Sequence, residues 1–367
     1  VTTRRRLAAL SAALLLVTGL AITNIARAAV AEGRTEKTPA DEQTQSKTGI
    51  QVHDGRLVES DGHDLVLRGI NYPYTWYPTQ VAPSLAGIKA TGANAARLSL
   101  ASGLRWPANS AAQITNIISL CRHDKLICVL DVHDTIVIGQ EGAASTLAQA
   151  VDYWIRVRAA LAGQEDYVIL NVGDEPYGNH EFGAWSADAG VAIRRLRAAG
   201  IRNTLMIDAP DWGQDGSFIM RDHASTVLAA DPTGNTVFDI HMYGVFNKAP
   251  KVQAYLASFA SRKLPIVIGE FGYYHPYGDP DEDAIMHFAQ VYSIGYLGWS
   301  WSGNTDGVEY LDMVNNFDAA RRTPWGVRFI AGPDGLNTGS REASVYRSGW
   351  RKRLDELAGL LPVQQRS

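Results

Sequence analysis

Two glutamates in this 367-residue chain stand where they could cut a glycosidic bond. Glu175 follows the apolar run Tyr167–Asn171 in Asn171-Val172-Gly173-Asp174-Glu175-Pro176. Glu270 ends the run Pro265–Ile268 in Ile268-Gly269-Glu270-Phe271-Gly272. A carboxylate placed at the end of a buried strand is costly unless it has a partner or a use. Two of them facing across one cleft suit glycoside hydrolysis. One acid protonates the leaving oxygen, and the other attacks the anomeric carbon or activates water. About 5–5.5 Å between them means retention of configuration, and about 6.5–9.5 Å means inversion. Other chemistries lack their signatures: no HExxH metal pair, no GxxxxGK[ST] phosphate loop and no GxSxG elbow occurs. We therefore expect no metal and no cofactor.

The elements that must hold these acids repeat. After a hairpin punctuated by Gly55 and Asp61-Gly62, strand-like runs recur at Leu65–Ile70, Asn94–Leu100, Leu126–Val132, Tyr167–Asn171, Thr204–Ile207, Val237–Ile240, Pro265–Ile268 and Tyr296–Trp299. Amphipathic stretches lie between them, at 109–123, 146–161, 184–199, 251–260 and 281–292. Eight such units predict an α/β fold, a single-domain (β/α)8 TIM barrel with an N-terminal β-hairpin. In that fold function sits at the C-terminal ends of the strands. Those ends carry Asn71, Arg97, His133-Asp134, Asp174-Glu175, Asp208, His241 with Tyr243, Glu270 and Trp299. A doubly wound sheet is the alternative, but no Gly-rich turn follows the first strand.

The flanks read differently. Residues 1–31 combine Arg4, Arg5 and Arg6 with an uncharged apolar stretch and small-x-small sites, as an export signal does. The chain is thus expected to be secreted by a bacterial export route, the adjacent arginines suggesting the twin-arginine one. An uncleaved anchor is the alternative. Residues 32–48 read as a flexible linker, 49–350 as the catalytic barrel and 351–367 as a C-terminal helix or tail. Net charge is −4, and the four arginines before Ala28 would leave with the signal, so a partner recognised through phosphates is not expected. Cys121 and Cys128 read as two buried free thiols, a disulfide being the alternative. The acidic stretch 278–283 reads as a helix start rather than a Ca²⁺ loop.

The motifs themselves resemble glycoside hydrolase family 5, and most closely its bacterial endo-β-1,4-mannanases. The matching segments are GINYPYTWYP (69–78), GANAARLSL (92–100), KLICVLDVHDT (125–135), YVILNVGDEPYGN (167–179), TLMIDAPDWGQ (204–214), FDIHMYGVF (238–246), LPIVIGEFG (264–272), GWSWSGN (298–304) and WGVRFIAGPDGL (325–336). The resemblance implies a retaining enzyme with Glu175 as acid/base and Glu270 as nucleophile. It implies that Arg97 orients Glu270 and keeps it ionised, that His241 and Tyr243 tune the pair, and that His133 lines the reacting-sugar subsite above a Trp299 platform. Trp76, Trp212 and Trp301 are candidate sugar contacts, with Tyr72, Tyr74 and Tyr77 beside Trp76 as a cleft wall. The implied partner is β-mannan or a related plant-type polysaccharide, met as a monomer without nucleic acid or a stable membrane partner. A β-1,4-glucanase and a non-catalytic polysaccharide-binding protein remain the alternatives. Three departures stand out: Asp174 replaces the family's asparagine, Asp131 a glutamate, and Tyr72 and Tyr74 histidines. If Asp174 must be protonated to donate to a sugar hydroxyl, activity should favour acid pH, and Asp174→Asn should broaden the profile toward neutral.

Overall fold

The computed structural model describes residues 49–138, 142–178, 182–276 and 278–347. The export signal, the linker and the 351–367 tail lie outside the described residues. Strands β3 (Arg68–Tyr72), β4 (Ala95–Leu100), β5 (Ile127–Val132), β6 (Val168–Asn171), β7 (Thr204–Asp208), β8 (Thr236–Met242), β9 (Ile266–Phe271) and β10 (Gly295–Gly298) close into a parallel barrel, with β10 paired to β3. Every residue of these strands is buried, which is why they read as continuous apolar runs rather than as alternating ones. Helices α1 (Val81–Ala90), α2 (Ala111–His123), α3 (Leu147–Val157), α4 (Trp185–Ala198), α5 (Ile219–Ala229), α6 (Ala249–Ser261), α7 (Glu282–Val291) and α8 (Pro324–Ala331) follow the strands in turn. None of the described helices is long and apolar enough to cross a membrane.

Local chemistry starts these helices where the sequence suggests. Ser110 with Gln113 and Thr146 with Gln149 form reciprocal capping boxes on α2 and α3. Asp281 caps α7, with Glu282 and Asp283 in its first turn, so the acidic stretch is a helix start. The sequence reading missed α1, α5 and α8. Pro83 and Gly87 obscure α1, yet proline is tolerated in a first turn, whose N–H groups have no helical partner. Gly87 is needed because a Cβ there would lie 2.7 Å from the Trp301 ring.

Two apolar layers result. One fills the space between strands and helices. The other comprises Leu67, Ala95, Ile127, Val129, Ile169, Met206, Val237, Val267 and Leu297, which fill the lower barrel interior. Ile50, Leu57 and Leu65 from the hairpin join this inner layer and close its floor. The hairpin pairs β1 (Gln51–His53) with β2 (Arg56–Val58) through Asp54-Gly55, both at positive φ, as a tight two-residue turn requires. The first barrel strand accordingly starts later than the apolar run implied. Leu65 donates its N–H back to Leu57 and belongs to the hairpin floor. Cys121 on α2 and Cys128 on β5 are buried free thiols.

Above the plug the interior turns polar. A register shift between Ile240 and His241 sets β8 against β9, and Gly269 is the residue skipped. The bulge places His241 directly opposite Glu270. A side chain at 269 is excluded, since a Cβ would fall 2.0 Å from the Asp239 carboxylate. The floor is testable on its own. Leu57→Ala removes a buried side chain from the plug, and urea unfolding should show a loss of about 2–4 kcal/mol. An unchanged midpoint would mean the hairpin does not contribute to the barrel core.

Candidate active site

Arg97 projects from β4 into the upper barrel and is completely buried. Its Nη1 donates to Glu270 Oε1 at 2.6 Å and to Asn71 Oδ1 at 3.1 Å. Its Nη2 donates to Asp174 Oδ1 at 2.6 Å and lies 3.5 Å from Asp208 Oδ2 and 3.7 Å from Asp131 Oδ2. One guanidinium thus faces four carboxyl groups. Asn71 is itself held by donating to the carbonyls of Gly269 (2.9 Å) and Gly298 (3.2 Å), which ties β3 to β9 and β10 at this level.

Glu270 and Glu175 meet around His241. Tyr243 donates its hydroxyl to Glu270 Oε2 at 3.3 Å. His241 Nδ1 is 2.8 Å from Glu175 Oε1 and 3.7 Å from Glu270 Oε2. One nitrogen within reach of both acids keeps them close, which fits the shorter, retaining separation. Glu175 sits at φ +39°, a strained backbone for a side-chain-bearing residue. Its N–H is secured by Asp208 Oδ2 at 3.0 Å, and Asp208 is in turn bonded by the Asn171 amide. The strain therefore sits at the acid itself, held by an anchor from the neighbouring strand.

Burial is the first cause of the perturbed titrations here. It pushes Glu175 well above the usual glutamate range, helped by the charges of Asp174, Glu270 and Asp208. It also drives Glu270 up to about 8, with Asp174 adding to it and Arg97 pulling down. Arg97 holds Glu270 as expected and favours its ionised form, but its charge is divided among several acids and burial outweighs it. The order of ionisation still follows from geometry. Glu270 touches the guanidinium and a tyrosine hydroxyl, whereas Glu175 touches only an imidazole. That imidazole is neutral, since burial, Arg97 and His133 all depress its pKa well below normal. Glu270 is therefore the better-stabilised anion and Glu175 the better proton donor.

The aromatic wall forms on one side. The His133 ring stacks on Trp299 at 5.6 Å and 14°, and meets Trp76 edge-on at 5.3 Å. Burial disfavours the His133 charge, but Asp174 and Asp131 outweigh it and raise its pKa to about 9. It is an imidazolium against an indole face. Trp106, which the sequence reading did not single out, packs on Trp76 at 4.9 Å and extends this wall. Trp76 (38% exposed) and Trp212 (36%) stand open to solvent. Trp301 does not join them. It is fully buried with its ring against Gly87 of α1, so it is a packing residue between barrel and helix. Tyr72 and Tyr74 are also buried, and Tyr72 donates to the Tyr77 carbonyl instead of facing a cleft.

Asp174 is likewise turned inward. It is fully buried, with one oxygen on Arg97 and the other 3.1 Å from His133 Nδ1. It is held as a partner of two cations rather than presented to a sugar hydroxyl. The reasoning that tied acid-pH activity to a protonated, sugar-donating Asp174 loses its geometric basis. Among the described residues, three triads have ligand-type atoms close enough for a metal: Asp131-His133-Asp174, Asp174-His241-Glu270 and Asp208-Asp239-His241. Arg97 already faces acids of the first two at 2.6 Å, occupying the place a cation would take.

The raised titrations at the site act on stability in one direction. Asp208, raised by burial to about 7, and Glu270, raised to about 8, bind protons more tightly folded than unfolded. So does His133 at about 9. Each contributes stability that is complete below its unfolded pKa and lost as pH rises through its folded one. Asp231, lowered to about 2 against its own burial by Arg197, acts oppositely and is lost only as pH falls through that value. Tm should therefore be highest on the acid side of neutral and fall steadily between pH 6 and 9. A Tm rising over that interval would contradict this charge arrangement.

The profile of the cellulase family (glycosyl hydrolase family 5) matches residues 58–305. A mannan endo-1,4-beta-mannosidase of Streptomyces lividans is 53% identical over 302 residues, covering 82% of this chain and 78% of that protein. A second, from Cellvibrio japonicus, is 44% identical over 82% of this chain and 70% of its own length. The solved β-mannanase of Thermomonospora fusca superposes with a TM-score of 0.81 at 50% identity, over 82% of this chain and 100% of that one. It has also been solved with mannohexaose. With two thirds of its length inside the family profile and its two acids at the C-terminal ends of barrel strands β6 and β9, the chain belongs to glycosyl hydrolase family 5.

Proposed function

We propose that the protein is an endo-β-1,4-mannanase that hydrolyses mannan or glucomannan with retention of configuration. The observation that carries the reading is the pair Glu175–Glu270 sharing the His241 Nδ1 contact. Glu270, held by Arg97 and Tyr243, attacks the anomeric carbon while Glu175 donates its proton to the leaving oxygen. Glu175, now ionised, then takes a proton from water as that water displaces Glu270 from the glycosyl-enzyme. The Trp299–His133–Trp76 wall supplies flat faces against which sugar rings stack. Mannan as substrate is supported by relatives near 50% identity that carry that activity in their names.

Reducing-end release from mannan should exceed release from carboxymethylcellulose. Glu175→Gln and Glu270→Gln should each lower kcat by roughly 10²–10⁴-fold. The proton spectrum of the first product should show the β anomer. Equal activity in all three proteins would remove the assigned roles, and an α first product would remove retention.

Asp174→Asn gives a second test. Asp174 raises the pKa of both Glu175 and Glu270 through its charge. Removing that charge lowers both, so both limbs of the kcat/KM profile should move to lower pH. This differs from the broadening toward neutral that the sequence alone suggested. Limbs that stay in place would show that Asp174 does not act on the pair electrostatically.

A further inference from the structure

The aromatic wall occupies one arc of the barrel mouth. Trp299 follows β10, Trp76 follows β3, Trp106 follows β4 and His133 follows β5, and these four strands are consecutive around the barrel. Trp212 follows β7, which stands four places from β3 in the ring of eight, across the mouth from Trp76. The two acids divide between these sides. Glu270 belongs to β9, which pairs with β10, the strand that leads into Trp299. Glu175 follows β6, which pairs with β7, the strand that leads toward Trp212. A nucleophile must touch the anomeric carbon, which belongs to the sugar that stays. The acid touches the oxygen that leaves with the other sugar. The wall beside Glu270 therefore receives the retained sugars, and the side beside Glu175 receives the departing one.

The segment that presents Trp212 is built to hold it still. Asp211 and Trp212 donate their N–H groups to the carbonyl of Tyr177, two residues beyond Glu175, at 2.8 and 3.3 Å. His241 donates its N–H to the carbonyl of Gly213 at 2.8 Å, and Val245 donates to Gln214 Oε1 at 3.1 Å. Gly213 sits at φ +66°, and a Cβ there would lie 2.6 Å from the His241 ring. Asp211 (φ +61°), Trp212 (+55°) and Asp215 (+50°) are left-handed as well, a strained run that survives only where its surroundings fix it. Buried Asp215 is the lower anchor, accepting from the Met220 and Arg221 N–H groups at the start of α5 and from the Tyr255 hydroxyl. The backbone around Trp212 is thus tied to the acid's own loop and to the imidazole that touches the acid. Phe218, at the far end of the segment, is also exposed, but the Arg221 guanidinium covers its ring at 3.9 Å and Tyr255 lies along it. Trp212 is the aromatic side chain that this segment holds open at the mouth, and a half-open indole on a fixed backbone is a binding face.

We propose that Trp212 is the platform of the leaving-group subsite, stacking on the hexose whose glycosidic oxygen Glu175 protonates and on a sugar that takes the place of water in the second step. In the first step the bond from the anomeric carbon to that oxygen breaks, the bond to Glu270 forms, and the Glu175 proton goes to the departing oxygen. In the second, a hydroxyl oxygen of water, or of a sugar held at Trp212, bonds to the anomeric carbon. Glu270 leaves, and the hydroxyl proton goes to Glu175. The ligand class is a neutral hexose or short oligosaccharide.

The proposal rests on the retaining mannanase reading, and two substrates separate the one from the other. β-Mannobiosyl fluoride places sugars on the retained side only, because fluoride is too small to reach the platform. Mannotetraose needs a sugar on both sides. Trp212→Ala should lower kcat/KM for mannotetraose by about tenfold more than for the fluoride. It should also lower the share of glycosyl-enzyme transferred to added mannotriose rather than to water. Trp212→Phe keeps a flat ring and should restore most of both. Trp76→Ala, on the retained side, should lower kcat/KM for the two substrates in proportion. Equal losses on both substrates in Trp212→Ala, as a merely loosened loop would give, would overturn the proposal, and so would an undiminished rate on mannotetraose. A wild type that turns over neither substrate would remove the mannanase reading, and the proposal with it.

Discussion

One buried guanidinium organises this molecule. Arg97 has no exposure to solvent and faces Asp131, Asp174, Asp208 and Glu270 within 3.7 Å. Burying a charge of either sign unpaired would cost several kcal/mol, so the cation and its acids are obliged to stay together. Those acids come from different strands, and each strand must therefore stop at the height where its carboxylate reaches the barrel axis. The apolar plug below, closed by the hairpin, sets that height.

The same shortage of positive charge gives the site its chemistry. Asp131, Asp174, Glu175, Asp208, Asp239 and Glu270 crowd around one arginine and one imidazolium. They cannot all ionise in a medium of low dielectric, so some must retain protons near neutral pH. Which ones do is settled by hydrogen bonds. Glu270 and Asp208 have donors and give up their protons first, whereas Glu175 faces a neutral imidazole and holds its proton longer. A protonated acid beside an ionised carboxylate is what double displacement requires. The excess of acids over cations thus makes a proton donor from a residue type that is normally ionised.

Position is enforced through backbone features as much as through side chains. The left-handed Glu175 is secured by Asp208, and the β8–β9 bulge at Gly269 turns His241 and Glu270 to face one another. Each device takes a residue from one strand and fixes it with a group from the next. A barrel is suited to this because every strand end has two neighbours at the same level.

The sequence by itself determined the eight-unit barrel, five of its helices and the two glutamates at strand ends. These are local properties: fully buried strands read as apolar runs, caps sit three residues apart, and polar residues at strand ends interrupt an apolar pattern. The places of Trp301, Tyr72 and Tyr74 were decided only by tertiary structure. Trp301 and Trp299 are the same residue type two positions apart, and one enters the cleft wall while the other packs on Gly87. Direction, shared charge and the place of a proton arise between strands far apart in the chain, so no single segment encodes them.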